Sequence, residues 1–265
     1  MDIENDICLE ERRNKMVDYI NEKGKVSTKE LGDLFHSSTV TIRNDINQLD
    51  EMGLIVKVHG GALACYNFIN REIPASIKYQ KDTGKKQIIG KLGATLLNDN
   101  EIVILDSGSS VLEVAKAVSA KNVTIITNDI KTAYCLADNS NVKLIVVGGT
   151  REPNLYTLTG METLRMYEIF HVDKLFLGCD ALDFKEGVTN RSLDEVAIKK
   201  AMIAAAEKVI AIADSSKLDK RVFASVCGLS EIDTIVTDAI GAEDLEVARQ
   251  LGIEVLTPPA DEVSR

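Results

Sequence analysis

The sequence predicts two joined units. The first is an N-terminal winged helix-turn-helix, three helices plus a two-stranded wing, over residues 1–64. The second is a C-terminal α/β domain with a mostly parallel sheet over 83–265, reached through a linker over 65–82. Three observations carry this reading. A helix-capping signal and two short apolar helical patterns stand close together between Ser27 and Met52. A β-prone run, Leu54-Ile-Val-Lys-Val58, and a glycine turn, His59-Gly-Gly-Ala62, follow them. From residue 84 onward short apolar runs alternate with helical patterns, the order of a parallel sheet covered by helices.

Composition bounds the function classes. The chain has 265 residues, 45% hydrophobic and 27% charged, an ordinary balance for a chain that buries a core and long enough for about two domains. Disorder, collagen-like repeats and low-complexity tracts are excluded. The longest apolar runs, such as Ile102–Leu105, fall far short of the ~18–20 residues of a membrane-spanning helix. The opening Met1-Asp-Ile-Glu-Asn-Asp6 is acidic where a secretory leader is basic and then apolar. A cytoplasmic protein with no membrane partner is expected. Cys8, Cys65, Cys135, Cys179 and Cys227 form no C-x-x-C pair, and His36, His59 and His171 fall in no ligand spacing. Neither a disulfide framework nor a metal site is expected.

The net charge of −10 argues against a general affinity for nucleic acid, but the charge is uneven. Residues 1–11 hold five acids and no base, 12–62 hold eight Lys/Arg against seven Asp/Glu, and 63–265 hold 23 against 29. The least acidic stretch is also the one patterned as helices. Leu9, Arg13, Met16, Val17 and Ile20 define helix one over 9–23, stopped by Gly24. Ser27-Thr-Lys-Glu30 is a capping box opening helix two, whose apolar face is Leu31, Leu34 and Phe35. His36-Ser37 break that run, and Ser38 caps a third helix through Met52, ended by Gly53.

On helix three Ile42, Ile46 and Leu49 form the inward stripe, which turns Val40, Arg43, Asn44, Asn47 and Gln48 outward. That outer face has the chemistry of base reading: Arg forks onto guanine, Asn or Gln pairs with adenine, and an apolar group meets a thymine methyl. Thr39 and Thr41 are short donors suited to phosphate, and Ser38, Lys57 and His59 are counted with them as DNA-binding residues. The alternative is a three-helix interaction or dimerisation module whose outer face is simply solvated. The wing favours DNA.

Val26-Ser-Thr-Lys-Glu-Leu31, Thr39-Val-Thr-Ile-Arg-Asn-Asp45, Gly53-Leu54 and His59-Gly-Gly-Ala62 together resemble the winged helix-turn-helix of DeoR-type bacterial transcriptional regulators. The family pattern has a second arginine where Asn44 stands, a glycine where His36 stands and an apolar residue where Ser37 stands.

In the second unit the apolar runs Ile102–Asp106, Val123–Thr127, Lys143–Val147, Lys174–Gly178, Val209–Ala213, Thr234–Thr237 and Glu254–Leu256 are the predicted strands. Asp106-Ser107-Gly108-Ser109-Ser110 lies between the first of them and a helical run, where backbone N–H groups, hydroxyls and the helix dipole favour an anion such as phosphate. Thr127-Asn128-Asp129, Gly148-Gly149, Gly178-Cys179-Asp180 and Asp214-Ser-Ser-Lys217 stand at other strand ends, where ligands of open α/β sheets collect. Their carboxylates and amides suit sugar hydroxyls, and Lys217 suits phosphate.

The order of these pieces, with Lys86, Glu186-Gly-Val-Thr189 and Glu195, is similar to the sensor domain of the same family. The resemblance implies a fold like ribose-5-phosphate isomerase, a sugar-phosphate effector, no cofactor, operator DNA as partner and assembly as dimers or tetramers. It points to a repressor of carbohydrate-utilisation genes, with no catalytic residues. The other class kept open is a sugar-phosphate isomerase with an accessory helical module, for which Asp106, Asp180, Glu195 and Lys217 are the acid–base candidates. Gly84-Lys-Lys-Gln-Ile-Ile-Gly90-Lys91 is not a P-loop: the glycines are misspaced, Leu92 replaces the magnesium-binding hydroxyl and no strand precedes it. No dinucleotide-binding G-x-G-x-x-G follows a strand.

Overall fold

The structure, a computed structural model, describes residues 9–52, 54–64, 78–79, 82–151 and 155–259. It separates into two compact units, Met1–Pro74 and Ala75–Arg265. Of the expected linker only Lys78, Tyr79 and Asp82 are described, and Gly53 and part of the loop 150–160 also lie outside the described residues.

In the first unit α1 (Leu9–Lys23) buries Met16 and Ile20 and ends at Gly24, whose φ of +76° turns the chain. The chain continues as β1 (Lys25–Ser27), α2 (Thr28–Leu34), α3 (Thr39–Glu51), β2 (Ile55–Val58) and β3 (Gly61–Ala64). The wing differs from expectation: it has three strands, not two, in the order β1-β3-β2 and antiparallel throughout. Lys25-Val26-Ser27 carries one apolar residue and so shows no period of its own. Its partner is what makes it a strand. Gly61 faces Ser27 in that pairing, and a Cβ there would lie 2.1 Å from the carbonyl oxygen of Val26. The expected capping box is half formed. Ser27 Oγ accepts from the Glu30 amide at 3.1 Å, but the Glu30 carboxylate accepts from the Tyr19 hydroxyl at 2.9 Å.

The turn between α2 and α3 is a left-handed helix stop. The Ser37 amide donates to the Gly32 carbonyl at 3.1 Å, and His36 between them has φ +46°, the position where helices favour glycine. Ser38 then caps α3 by accepting from the Thr41 amide at 3.1 Å.

In the second unit all seven expected runs are strands of one sheet and every adjacent pair is parallel. They are β4 (Ile102–Leu105), β5 (Val123–Thr127), β6 (Val142–Val146), β9 (Val172–Gly178), β12 (Ala206–Ile212), β14 (Thr234–Val236) and β15 (Glu254–Leu256). Their spatial order is β15-β14-β12-β9-β4-β5-β6. Alternate residues feed two apolar cores: Ile104, Leu175 and Leu177 face one, while Val103, Leu105 and Phe176 face the other. On one side lie α7 (Met161–Glu168), α8 (Leu193–Ala205) and α9 (Ala242–Gln250), and on the other α4 (Thr83–Ala94), α5 (Ser109–Lys116) and α6 (Ile130–Leu136). Burial of both faces is what makes these strands read as continuous apolar runs. The P-loop look-alike falls inside the helix α4.

The sequence reading omits a hairpin, β7 (Thr150–Arg151) with β8 (Leu158–Thr159), and an antiparallel sheet of β10 (Ala181–Asp183), β11 (Gly187–Asn190) and β13 (Ala224–Cys227). In the main sheet the order reverses between β4 and β9. β4, β5 and β6 run outward on one side, and β9 begins again beside β4 on the other. Crevices of this kind lie at the carboxyl ends of the strands.

Candidate functional site

The first unit presents α3. Ile42, Ile46 and Leu49 are buried, while Ser38, Thr39, Arg43, Asn44 and Gln48 are exposed and Val40 is 66% exposed. Thr41 and Asn47 are half-buried, and Lys57 and His59 stand exposed on the wing. The Ser38 and Thr41 hydroxyls are 2.8 Å apart and serve the helix cap, whereas Arg43 keeps a solvent-facing fork. One residue of the inward side was not singled out from sequence. Asp45 is buried and accepts from Arg12 Nε at 2.9 Å and Arg13 Nε at 2.8 Å. This carboxylate ties α1 to α3 and uses two of the eight basic side chains of residues 12–62 internally. Asp50 does a similar job for the wing, accepting from the Lys57 amide at 2.9 Å.

In the second unit the groups expected at strand ends are brought together at the β4/β9 reversal. Asp106, just after β4, accepts from the Gly178 amide at 2.9 Å and forms a short ion pair with Lys199 of α8. Lys199 also donates to the Gly178 carbonyl at 3.0 Å. Burial alone would lower the pKa of Lys199, but Asp106 and Glu195 outweigh it, raise the pKa and hold the amine protonated. Glu195 accepts from Ser107 Oγ at 3.3 Å, Thr157 Oγ1 at 3.1 Å and Asn190 Nδ2 at 2.8 Å. Lys199, Asn190 and Thr157 were not read from the sequence. The signal for Lys199 was its place four residues after Glu195, on the same helical face. It was masked by Lys200, which is exposed and makes the pair look solvated.

Gly108 caps α5 at φ +124°, and Ser107, Ser109 and Ser110 are all buried there. The hydroxyl of Ser110 has no hydrogen-bond partner among the described residues. Asp214, just after β12, is also buried, and its Oδ2 is unpartnered in the same sense while Oδ1 serves Ser216. Burial would push its carboxyl up, but Lys217, the Ser216 hydrogen bonds and Lys86 together hold it below the usual range. Two ammonium groups thus act on the charge of one carboxylate whose Oδ2 is unpartnered among the described residues. Lys86, 5% exposed, donates to the Lys78 carbonyl at 2.6 Å.

Other expected residues are engaged by the protein itself. Asp180 forms ion pairs with Lys78 at 2.8 Å and Arg191 at 3.3 Å. Burial would raise its pKa, yet these cations hold it far below the carboxylate range. The Asn128 side chain donates to the Leu158 carbonyl at 2.8 Å and accepts from the Tyr167 hydroxyl at 3.2 Å. Thr127 Oγ1 accepts from the Asp129 amide at 3.1 Å. Gly148 accepts through its carbonyl from Thr163, and a Cβ on Gly149 would lie 2.2 Å from Thr163 Oγ1. Gly149 thus has a packing role at the end of β6, whereas a Cβ on Gly148 would stand in open space. No group of His, Cys, Asp and Glu suited to a metal ion occurs among the described residues, and no helix there is long and apolar enough to cross a membrane.

A winged helix-turn-helix unit followed by an α/β domain with polar groups gathered at its strand reversal is the architecture of a transcriptional regulator with a sensor domain, and comparison with known families places it. Residues 12–67 match the DeoR-like helix-turn-helix domain and residues 81–239 match the DeoR C-terminal sensor domain. The chain belongs to the DeoR family of transcriptional regulators. It is 32% identical over 235 residues to the HTH-type transcriptional regulator GolR of Listeria innocua, covering 86% of this chain and 90% of that one. It is 30% identical over 255 residues to the HTH-type transcriptional repressor GlcR of Bacillus subtilis, with 96% and 98% covered. Among solved structures, ribose 5-phosphate isomerase A from Neisseria gonorrhoeae aligns with a TM-score of 0.36 and 18% identity over 50% of this chain and 52% of that one. The relatives are regulators, and this chain is a regulator rather than an isomerase.

Proposed function

We propose that the protein represses carbohydrate-utilisation genes by binding operator DNA through α3 and the wing, as a dimer or tetramer, and that a phosphorylated sugar at the β4/β9 strand ends releases it. The observation that supports the effector most is buried Asp214, whose second oxygen is unpartnered among the described residues and on whose charge Lys217 and Lys86 both act. Two cations are what a phosphate needs, and an available carboxylate oxygen is what a sugar hydroxyl needs. Ser107, Gly108, Ser109 and Ser110 add hydroxyls and the α5 N-terminus for the anion. Asp106 and Glu195, saturated by Lys199, Ser107, Thr157 and Asn190, shape the pocket. Asp180 and Asn128 hold its walls. Asn44, Asn47 and Val40 flank Arg43 on the reading face.

The test is a thermal-shift screen of phosphorylated sugars followed by calorimetry. A true effector at ~100 times its Kd raises stability by about 2.7 kcal/mol. Lys217→Ala abolishes that shift while operator binding in a gel-shift assay is unchanged. If Lys217→Ala binds the sugar phosphate like the parent, the pocket is wrongly placed.

A further inference from the structure

The two arginines that Asp45 binds stand beside the face of α3 that carries the reading residues. Arg12, Arg13 and Asp45 border one cavity of about 510 Å³ together with Thr41, Asn44 and Gln48 of α3. Both guanidinium groups are turned onto the carboxylate. Arg12 donates from Nε and Nη2 to Oδ2, each at 2.9 Å, and Arg13 donates from Nε to Oδ1 at 2.8 Å. The Asp45 side chain is 2% exposed and each arginine side chain 16%. The cavity's other carboxylate, Glu51 at the end of α3, is exposed. One buried acid thus sets the disposition of two of the eight basic side chains in residues 12–62.

From this geometry we infer that Asp45 is a specificity-determining residue: it withholds Arg12 and Arg13 from DNA phosphates, so that binding depends on what α3 reads. The inference rests on the operator-binding reading above and adds what limits binding to every other sequence. An arginine that meets a phosphate strengthens binding to all duplexes alike, whereas specificity is the difference between one duplex and the rest. Two long cationic side chains at the rim of the reading face are therefore a hazard to specificity. Asp45 removes it. A phosphate cannot simply take over either guanidinium, because pulling an arginine away leaves a buried carboxylate short of its compensating charge, which is strongly unfavourable. Without that carboxylate the two forks would gain more on mixed sequence than on an operator. On mixed sequence the protein can shift until both forks meet phosphates, while base contacts from α3 fix its register on the operator. Loosening the tie between α1 and α3 acts in the same direction, since it blurs the position of the reading helix.

The test is a salt titration of the full chain on a short duplex of mixed sequence, set beside the same titration on the duplex that the parent protein selects from a random-sequence pool. Asp45→Asn steepens the slope of log K against log salt on mixed sequence by about 0.9 for each arginine that reaches a phosphate, up to ~1.8 for both. The preference for the selected duplex falls about tenfold, one of the several decades that separate specific from non-specific binding. Asn keeps the volume and one acceptor oxygen, and Asp45→Ser is read in its place if that variant does not fold. Glu51→Gln removes an equal charge from the same cavity without releasing an arginine, and its slope stays at the parent's. Asp45→Asn combined with Arg12→Gln and Arg13→Gln returns the slope to the parent's. A slope shallower than the parent's in that triple variant overturns the inference, since the arginines would already be holding phosphates. An unchanged slope for Asp45→Asn overturns it too, as does an equal steepening by Glu51→Gln, and each of these leaves operator binding standing. A parent chain that selects no sequence from the pool removes the operator reading and the inference together.

Discussion

Arg43 and Asp45 lie two residues apart on α3 and do opposite work. Arg43 is exposed, and under the proposed DNA reading a bidentate contact from it to a base would be worth ~1–3 kcal/mol. Arg43→Ala therefore weakens operator binding by that amount in a gel shift at constant salt, with an unchanged melting temperature. Equal binding by parent and variant would remove α3 as the reading element. Asp45 instead spends its charge on Arg12 and Arg13, so the unit's basic surface is smaller than its composition suggests. His36 shows the complementary case. The family pattern has glycine there, and the structure supplies the reason: φ is +46° at the left-handed stop of α2. A side chain in that region costs ~1–3 kcal/mol, partly offset by the entropy glycine loses on folding. His36→Gly is expected to stabilise the protein by about 1 kcal/mol in denaturant unfolding, and a destabilised variant would show that the imidazole makes a compensating contact.

Among the elements, the wing is the one whose form depends most on a single absent side chain. Gly60 supplies the turn with φ +81°, in open space. Gly61 supplies close approach, with the Val26 carbonyl oxygen 2.1 Å from where a Cβ would sit. The two adjacent glycines are therefore not equivalent. Gly61→Ala must push β1 away from β3, which loses the ladder that seats α2 against the wing. A loss of ~2–4 kcal/mol is expected, the range of severe backbone or overpacking lesions, together with loss of operator binding. Unchanged thermal unfolding for Gly61→Ala would mean that β1 is not held as described.

For the molecule as a whole, the proposed reading face and the proposed effector site belong to different units, so under that proposal a ligand changes operator affinity only by favouring one arrangement of units or subunits over another. The coupling is expected at ~1–3 kcal/mol, the usual span, with the sugar phosphate lowering operator affinity. Linkage then requires operator DNA to lower effector affinity by the same factor. Two calorimetric titrations, effector into free protein and into the operator complex, check this. Identical effector affinity in both would leave a DNA-binding protein and a sugar-phosphate pocket with no switch between them.

What the sequence by itself determined follows from features with a local physical signature. Seven strands announced themselves as apolar runs, the five inner ones because both of their faces are covered, and their alternation with helices dictated parallel pairing. The helix starts at Ser27 and Ser38 and the stop at Gly24 are capping chemistry, confined to a few neighbouring residues. Strand ends located the polar groups around Asp106, Asp214 and Lys217, since a parallel sheet gathers its loops at one edge. Partnership is what only the tertiary structure decided. Lys25–Ser27 is a strand solely because Gly61 admits it, and β10, β11 and β13 are too short to show a period. Asp45 finds Arg12 and Arg13 more than thirty positions away, Lys199 finds Asp106 at a separation of 93, and Lys78 finds Asp180 at 102. Each of these is a charge whose energy depends on desolvation and on a partner brought close by folding, so the residues that complete the pocket were invisible until the chain had closed around them.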